Sequence, residues 1–199
     1  MNRPDNLDLV PDVQIWKLLK SGDRAALKQL FERHYHDLYL YAYRLSGDRF
    51  LAKDCVQELF FRIWDRRRHL ADSSNVKAYL WISLRRDVFK AIDREFHTVS
   101  TEDIITYSSS ISFTKEDLII RREQNQEQTE ALVNALNALP DRHREAIFLK
   151  YFNGMGYKEI QQIMSINYQT ARNYVSKGVK ALKKQLEGRT FISSWEAIM

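Results

Sequence analysis

The residues best placed to do chemistry lie late in the chain. Over 168–186 the apolar residues Ala171, Val175, Val179 and Leu182 recur at helical spacing. That stripe leaves Gln169, Arg172, Asn173, Ser176, Lys177, Lys180 and Lys184 on the opposite face, with Thr170 beside them near the helix start. These types suit the floor of a DNA major groove. Arginine can donate two hydrogen bonds to guanine, and asparagine can pair both ways with adenine. Lysines further along the helix would meet phosphates. A solvated helix with a basic end favoured by its dipole would carry the same lysines. What precedes the segment favours DNA. A short helix is expected over 157–164, then a turn at Ser165-Ile166-Asn167, with Ile160, Ile163, Met164 and Ile166 facing inward. Asn167 is a good N-cap, and the pair makes a helix-turn-helix. Two positions depart from the usual motif. Ser165 stands where glycine commonly makes a left-handed turn, and Gln161 where a small alanine usually permits close packing.

Two earlier segments also carry chemistry. The expected helix 49–69 buries Leu51, Ala52, Cys55, Val56, Leu59, Phe60, Ile63 and Trp64, and keeps Asp54, Gln57, Glu58 and Arg62 off that stripe. The expected helix 76–96 mixes Lys77, Arg85, Arg86, Lys90 and Arg94 with Tyr79, Trp81 and Phe89. Opened nucleic-acid strands call for cations along the backbone and flat surfaces under unstacked bases. Tyr79 also fits a place in the core.

Catalysis has no comparable set. Gly154 and Gly156 lack the Lys-Ser/Thr that a phosphate loop needs, and no H-E-x-x-H occurs. His34 and His36 are two apart and point to different helix faces. The single Cys55 can form neither an internal disulfide nor a cysteine-pair zinc site. The expectation is a non-enzyme without cofactor or metal.

The elements that would position these residues read as helical throughout. With six glycines and three prolines in 199 residues, the chain is too poor in both for a turn-rich β sandwich. At 44% apolar it should fold. Helices are expected over 13–20, 24–45, 49–69, 76–96, 118–139, 141–152, 157–164 and 168–186, with Gly47 closing the second of them as a left-handed cap. The fold class is all-α, in two modules: 10–97 and 128–187. Between them, 98–127 reads as an acidic tether rich in serine and threonine. A tail, 188–199, follows. Charge divides the same way. The total of +5 conceals +6 over 14–97 and +5 over 139–187, offset by −4 over 98–138 and −2 over 1–13. Two basic blocks on an acidic connector suggest two anion-facing modules. The N-terminus lacks the basic and apolar run of a secretory leader. No apolar stretch approaches the ~20 residues of a membrane span. A cytoplasmic setting is expected.

In order along nearly its whole length, the chain resembles the extracytoplasmic-function sigma factors of bacterial RNA polymerase. LFERHYHDLYLYAYRLSGD is similar to the start of sigma region 2. AKDCVQELFFRIWDRR resembles the polymerase-binding helix, and NVKAYLWISLRRDVFKAIDRE the helix that engages the −10 element. ALPDRHREAIFLKYFNGMGYKEIQQIMSINYQTARNYVSKGVKALKKQL resembles sigma region 4. The resemblance implies that Asp54, Gln57, Glu58 and Arg62 dock on the β′ clamp helices of core RNA polymerase. It implies that Lys77, Trp81, Arg85, Arg86 and Lys90 meet the −10 element. Gln169, Thr170, Arg172, Asn173, Ser176, Lys177 and Lys180 would then read promoter DNA at −35, with the second module also on the β-flap. An anti-sigma factor, which can be membrane-bound, is implied as a further partner. Where the family often has Arg-Asn, this chain has Arg85-Arg86, so the family's −10 base preference does not carry over. The other readings are a stand-alone helix-turn-helix regulator and a helical scaffold that binds protein.

Overall fold

The computed structural model describes residues 10–96, 111–115 and 126–186. These residues are helical wherever they are regular, and they fall into two compact units that divide between residues 105 and 106.

The first unit is a four-helix bundle. Its helices are α1 (Asp12–Lys20), α2 (Arg24–Ser46), α3 (Arg49–Asp65) and α4 (Val76–Phe96). Local chemistry sets the ends. The Asp23 carboxylate accepts from the Ala25 and Ala26 N–H groups at 2.7 and 3.3 Å. The Asp48 carboxylate accepts from Phe50 and Leu51 at 2.6 and 3.1 Å. Each thereby satisfies donors that the first helical turn leaves unpaired. Gly47 ends α2 at φ 71° with its N–H on the Tyr43 carbonyl, as expected. Asn75 caps α4 through a 2.9 Å bond from the Ala78 N–H.

The expected helix 49–69 is shorter than the sequence suggests. It stops at Asp65, and a single 3-10 turn, Arg67–His69, follows. Arg67 closes this end. Its guanidinium lies 4.3 Å from the Trp64 ring centre and donates to the Trp64 carbonyl at 2.8 Å, a group the continuing helix would need.

Ile15, Trp16, Leu19, Leu30, Leu38, Tyr41, Val56, Leu59, Leu80, Trp81, Leu84 and Val88 form the core of the bundle. Tyr41 and Trp81 pack ring to ring at 4.7 Å. Trp16 packs edge-on against Tyr79 at 5.1 Å and donates to the Ala71 carbonyl at 3.1 Å, fastening α1 to the loop before α4. At the other end of α1, Asp12 takes Arg33 and the buried His34 as partners, so His34 faces inward while His36 is exposed.

The second unit holds α5 (Gln126–Asn137), α6 (Asp141–Ile147), α7 (Tyr157–Ile163) and α8 (Tyr168–Gln185). The expected start of α5 at 118 lies outside the described residues. The single helix expected over 141–152 changes form: α6 runs into a π-helical turn, Phe148–Phe152. That wider turn brings residues four apart closer to register, and Phe148 and Phe152 stack at 5.8 Å. Leu132, Leu136, Ile147, Leu149, Ile160, Ile163, Ala171, Val175 and Leu182 make the core. Gly178 completes it. A β-carbon there would sit 3.1 Å from Ile147 Cγ1, so the backbone of α8 lies directly on α6.

The plain tether expected over 98–127 requires correction within this unit. Ile111 and Phe113 are buried, and 111–115 lies along α5 and α6. The rest of that span that falls in 98–110 and 116–125, like the tail 188–199, lies outside the described residues.

Candidate nucleic-acid interface

Helix α8 displays the polar face that its spacing implies. Ser165 adopts φ 54°, the left-handed geometry that glycine would take more easily, and turns the chain between α7 and α8. Asn167 caps α8 by accepting the Thr170 N–H at 2.7 Å. Gln169, Arg172, Asn173, Ser176, Lys177 and Lys180 are all exposed, while Ala171, Val175, Gly178 and Leu182 are buried on the other side. Thr170 is half-buried beside the cap. The Gln169 side-chain amide donates to Asn173 Oδ1 at 3.1 Å, which links the two amides one helical turn apart. Lys177 sits near the half-buried His143. Burial, and then the lysine charge, hold the His143 imidazole below its ordinary pKa, so it stays neutral.

Helix α4 corrects two of its five expected contacts. Trp81 is 0% exposed and packs on Tyr41, so it has no face for a base. Arg85 is 6% exposed, with its guanidinium 4.6 Å from the Phe89 ring centre inside the bundle. Both belong to the covered side of α4. Arg86 and Lys90 are exposed, and Arg94 continues their row one turn further on. Lys77 is half-buried and lies roughly half a revolution round the helix from Arg86, since nine residues turn through about 900°. Tyr79 is half-buried, with its ring against Trp16.

Helix α3 brings its four expected residues together. Asp54, Gln57 and Glu58 are exposed; Arg62 is half-buried and paired with Asp87 of α4. All four line one groove of about 680 Å³ between α3 and α4, whose other wall includes Lys90 and Arg94. Lys90, assigned from sequence to the −10 set, therefore shares a groove with the polymerase set. Sequence reasoning missed Phe61, which is 66% exposed on the same rim. The available signal was a large aromatic standing outside the apolar stripe of α3, next to the buried Phe60. Cys55 lies in the groove wall. Burial, with the Asp87 and Asp54 charges, pushes its thiol up to about 11, so it is protonated at neutral pH and a poor nucleophile. Among the described residues no group of three His, Cys, Asp or Glu side chains is arranged to hold a metal, and no helix is long and apolar enough to cross a membrane.

A four-helix bundle with a charged α3–α4 groove, followed by a helix-turn-helix unit, defines the two-module class of sigma-70-type factors. Sigma-70 region 2 matches residues 30–95, and sigma-70 region 4 matches residues 129–182. The chain belongs to the extracytoplasmic-function sigma factors, and so is an alternative sigma factor that directs transcription initiation rather than a stand-alone regulator. It is 23% identical over 165 residues to the RNA polymerase sigma factor SigZ of Bacillus subtilis, covering 81% of this chain and 88% of that one. It is 25% identical over 157 residues to the ECF sigma factor SigM of the same organism, covering 79% and 93%. Among solved structures, CnrH in complex with the cytosolic domain of CnrY has a similar fold, with TM-score 0.59 and 17% identity over 90% of this chain and 99% of that one. So does the sigma factor RpoE of Bartonella quintana in complex with the anti-sigma factor NepR, with TM-score 0.57 and 23% identity over 81% and 97%.

Proposed function

We propose that the two modules divide promoter recognition between them. The first binds core polymerase through the α3–α4 groove, with Asp54, Gln57, Glu58 and Arg62 on the β′ clamp helices and Phe61 as an apolar anchor. Charged groups there set orientation and association rate more than raw affinity. Arg86 on α4 meets the backbone of the opened −10 strand, with Lys77 at the helix start; Trp81 and Arg85 support the helix from inside. The second module lays α8 in the major groove of the −35 element and docks on the β-flap. Arg172 and the Gln169–Asn173 pair meet base edges, and Lys177 and Lys180 meet phosphates.

One observation carries this reading: a single face of α8 displays Gln169, Arg172, Asn173, Ser176, Lys177 and Lys180, all exposed, behind a capped helix-turn-helix. An anti-sigma factor is a further partner. RpoE of Bartonella quintana, whose fold is similar, was solved in complex with the anti-sigma factor NepR, and CnrH in complex with the cytosolic domain of CnrY.

Reconstituted transcription with core polymerase tests the division. Arg172→Ala should weaken −35-dependent initiation by about 1–3 kcal/mol while core binding stays normal. Glu58→Lys should impair core binding with the fold intact. If Arg172→Ala leaves −35 selectivity unchanged, α8 is not the reader.

A further inference from the structure

Among the described residues of the second module, Tyr168 is the large hydrophobic side chain left exposed, at 43%. It is the first residue of α8, directly after the Asn167 cap. Seven residues turn a helix through about 700°, within about 20° of two full turns, so Tyr168 lies in line with the buried Val175. It continues the apolar stripe of α8 past the point where the module covers it. Its ring stands edge-on to Tyr157, the first residue of α7, with centres 6.1 Å apart and planes at 78°. The Lys150 ammonium lies 4.9 Å from the Tyr157 ring centre and backs it. Tyr168 is thus held on one side and open on the other. Gln169, the next residue, is bonded to Asn173.

We propose that Tyr168 is a specificity-determining residue at the −35 element, its ring packing on the 5-methyl group of a thymine. The inference rests on the reading of α8 as the −35 helix. A recognition helix meets base edges with its N-terminal residues, and Tyr168 is the first of them here. In the major groove only thymine presents a methyl group, and apolar side chains contact it. An aromatic ring has few torsions to immobilise, so a contact through it costs little conformational entropy. The polar neighbours complete the match. An amide that pairs with adenine needs an A·T pair, and such a pair displays the thymine methyl beside the adenine edge. Gln169 or Asn173 on adenine and Tyr168 on thymine therefore select the same kind of sequence. Covering one methyl should change affinity by a factor of about four.

The test uses the full-length chain with core polymerase. Promoter fragments randomised across the −35 element are selected by binding to the parent, Tyr168→Ala, Tyr168→Phe and Arg172→Ala proteins. The parent should enrich thymine at a position where Tyr168→Ala enriches none. Tyr168→Phe keeps the ring and should keep that preference. Deoxyuridine, whose base is thymine without the methyl, is then placed at that position alone. The parent should bind this promoter about fourfold more weakly, and Tyr168→Ala should not distinguish the two. Equal binding of both by the parent, or no thymine enriched by it, overturns the proposal. Loss of the preference in Tyr168→Phe also overturns it, since the hydroxyl is then the contact. So does a uniform loss by Tyr168→Ala at every position, the mark of a ring that only packs α8 on α7. Arg172→Ala separates these outcomes from failure of the wider reading. If it alters the selected sequence and Tyr168→Ala does not, only the role of Tyr168 falls. If both leave the −35 selection unchanged, α8 is not the reader.

Discussion

Helices α4 and α8 are written in similar letters and used in different ways. Each carries a row of cations interrupted by aromatics, and each was expected to touch DNA over most of its length. In α8 the buried positions are Ala171, Val175, Gly178 and Leu182, a narrow stripe of mostly small residues. Everything polar remains outside it. In α4 the buried set runs through Val76, Ala78, Leu80, Trp81, Leu84, Arg85, Val88, Phe89 and Ile92, far more than half of one face. Helix α4 lies against α1, α2 and α3 together, so its covered arc is wide enough to take in an arginine and a tryptophan. A basic, aromatic helix thus reports its outward face reliably only where its apolar stripe is narrow.

The largest effect that could break this comparison is at Trp81. Trp81→Ala should destabilise the first module by about 3–5 kcal/mol through cavity formation, measured by urea unfolding. Normal stability with lost promoter opening would make Trp81 a base platform and α4 the equal of α8. A smaller effect separates the turns. The first module turns through Gly22 and Gly47 at φ 95° and 71°; the second turns through Gly154 at 65° but uses Ser165, at φ 54°, between α7 and α8. Ser165→Gly should relieve left-handed strain and, after the entropy that glycine costs, stabilise the second module by about 0.5–1 kcal/mol. A loss of stability would mean that the serine side chain is needed in the turn.

The smallest effect is one of pH. In the first module, burial alone would raise the Asp12 pKa, but hydrogen bonds from His34 and Arg33 outweigh it and hold the carboxylate below 3.8. Its folded pKa is depressed, so its contribution is present above the unfolded value and is lost only as pH falls below about 4. In the second module the His143 pKa is lowered from 6.5 by burial and by Lys177. Its contribution is full above that value and declines as pH falls through it towards the lower folded pKa. Mild acid near pH 6 should therefore weaken the second module first. His143→Gln should flatten the pH dependence of that module's thermal unfolding between about pH 5 and 7 and leave the first module's unchanged. An unchanged slope would remove His143 from the account.

Much of the candidate site was legible because its signals are local. Asn167 caps the helix it precedes, and an amide at that place needs only the next three residues to act. Asp54, Gln57, Glu58 and Arg62 share a face because one helix carries them all. Phe61 was passed over because periodicity sorts aromatics inward by default, and only measured exposure shows one left out. The packing of 111–115 was illegible for a different reason. Ile111 and Phe113 are two apolar residues in a serine-rich stretch, and their partners, Asn137, Arg144, Phe148 and Phe152, lie 24 or more residues further on.

By itself, then, the sequence determined the helical class, the division of charge into two basic blocks flanking an acidic stretch, and the helix-turn-helix with its exposed polar face; the family entered by the resemblance of whole stretches. The local features follow from composition, from spacing along one helix or from side chains acting on adjacent backbone. Tertiary structure alone decided that Trp81 and Arg85 turn inward, that Lys90 shares the α3 groove, and that 111–115 belongs to the second module. A helix's period fixes which residues share a face, but the elements packed against it decide how much of that face is covered. Here those elements come from distant chain, as when Trp16 of α1 bonds Ala71 across 55 residues to close the bundle around α4.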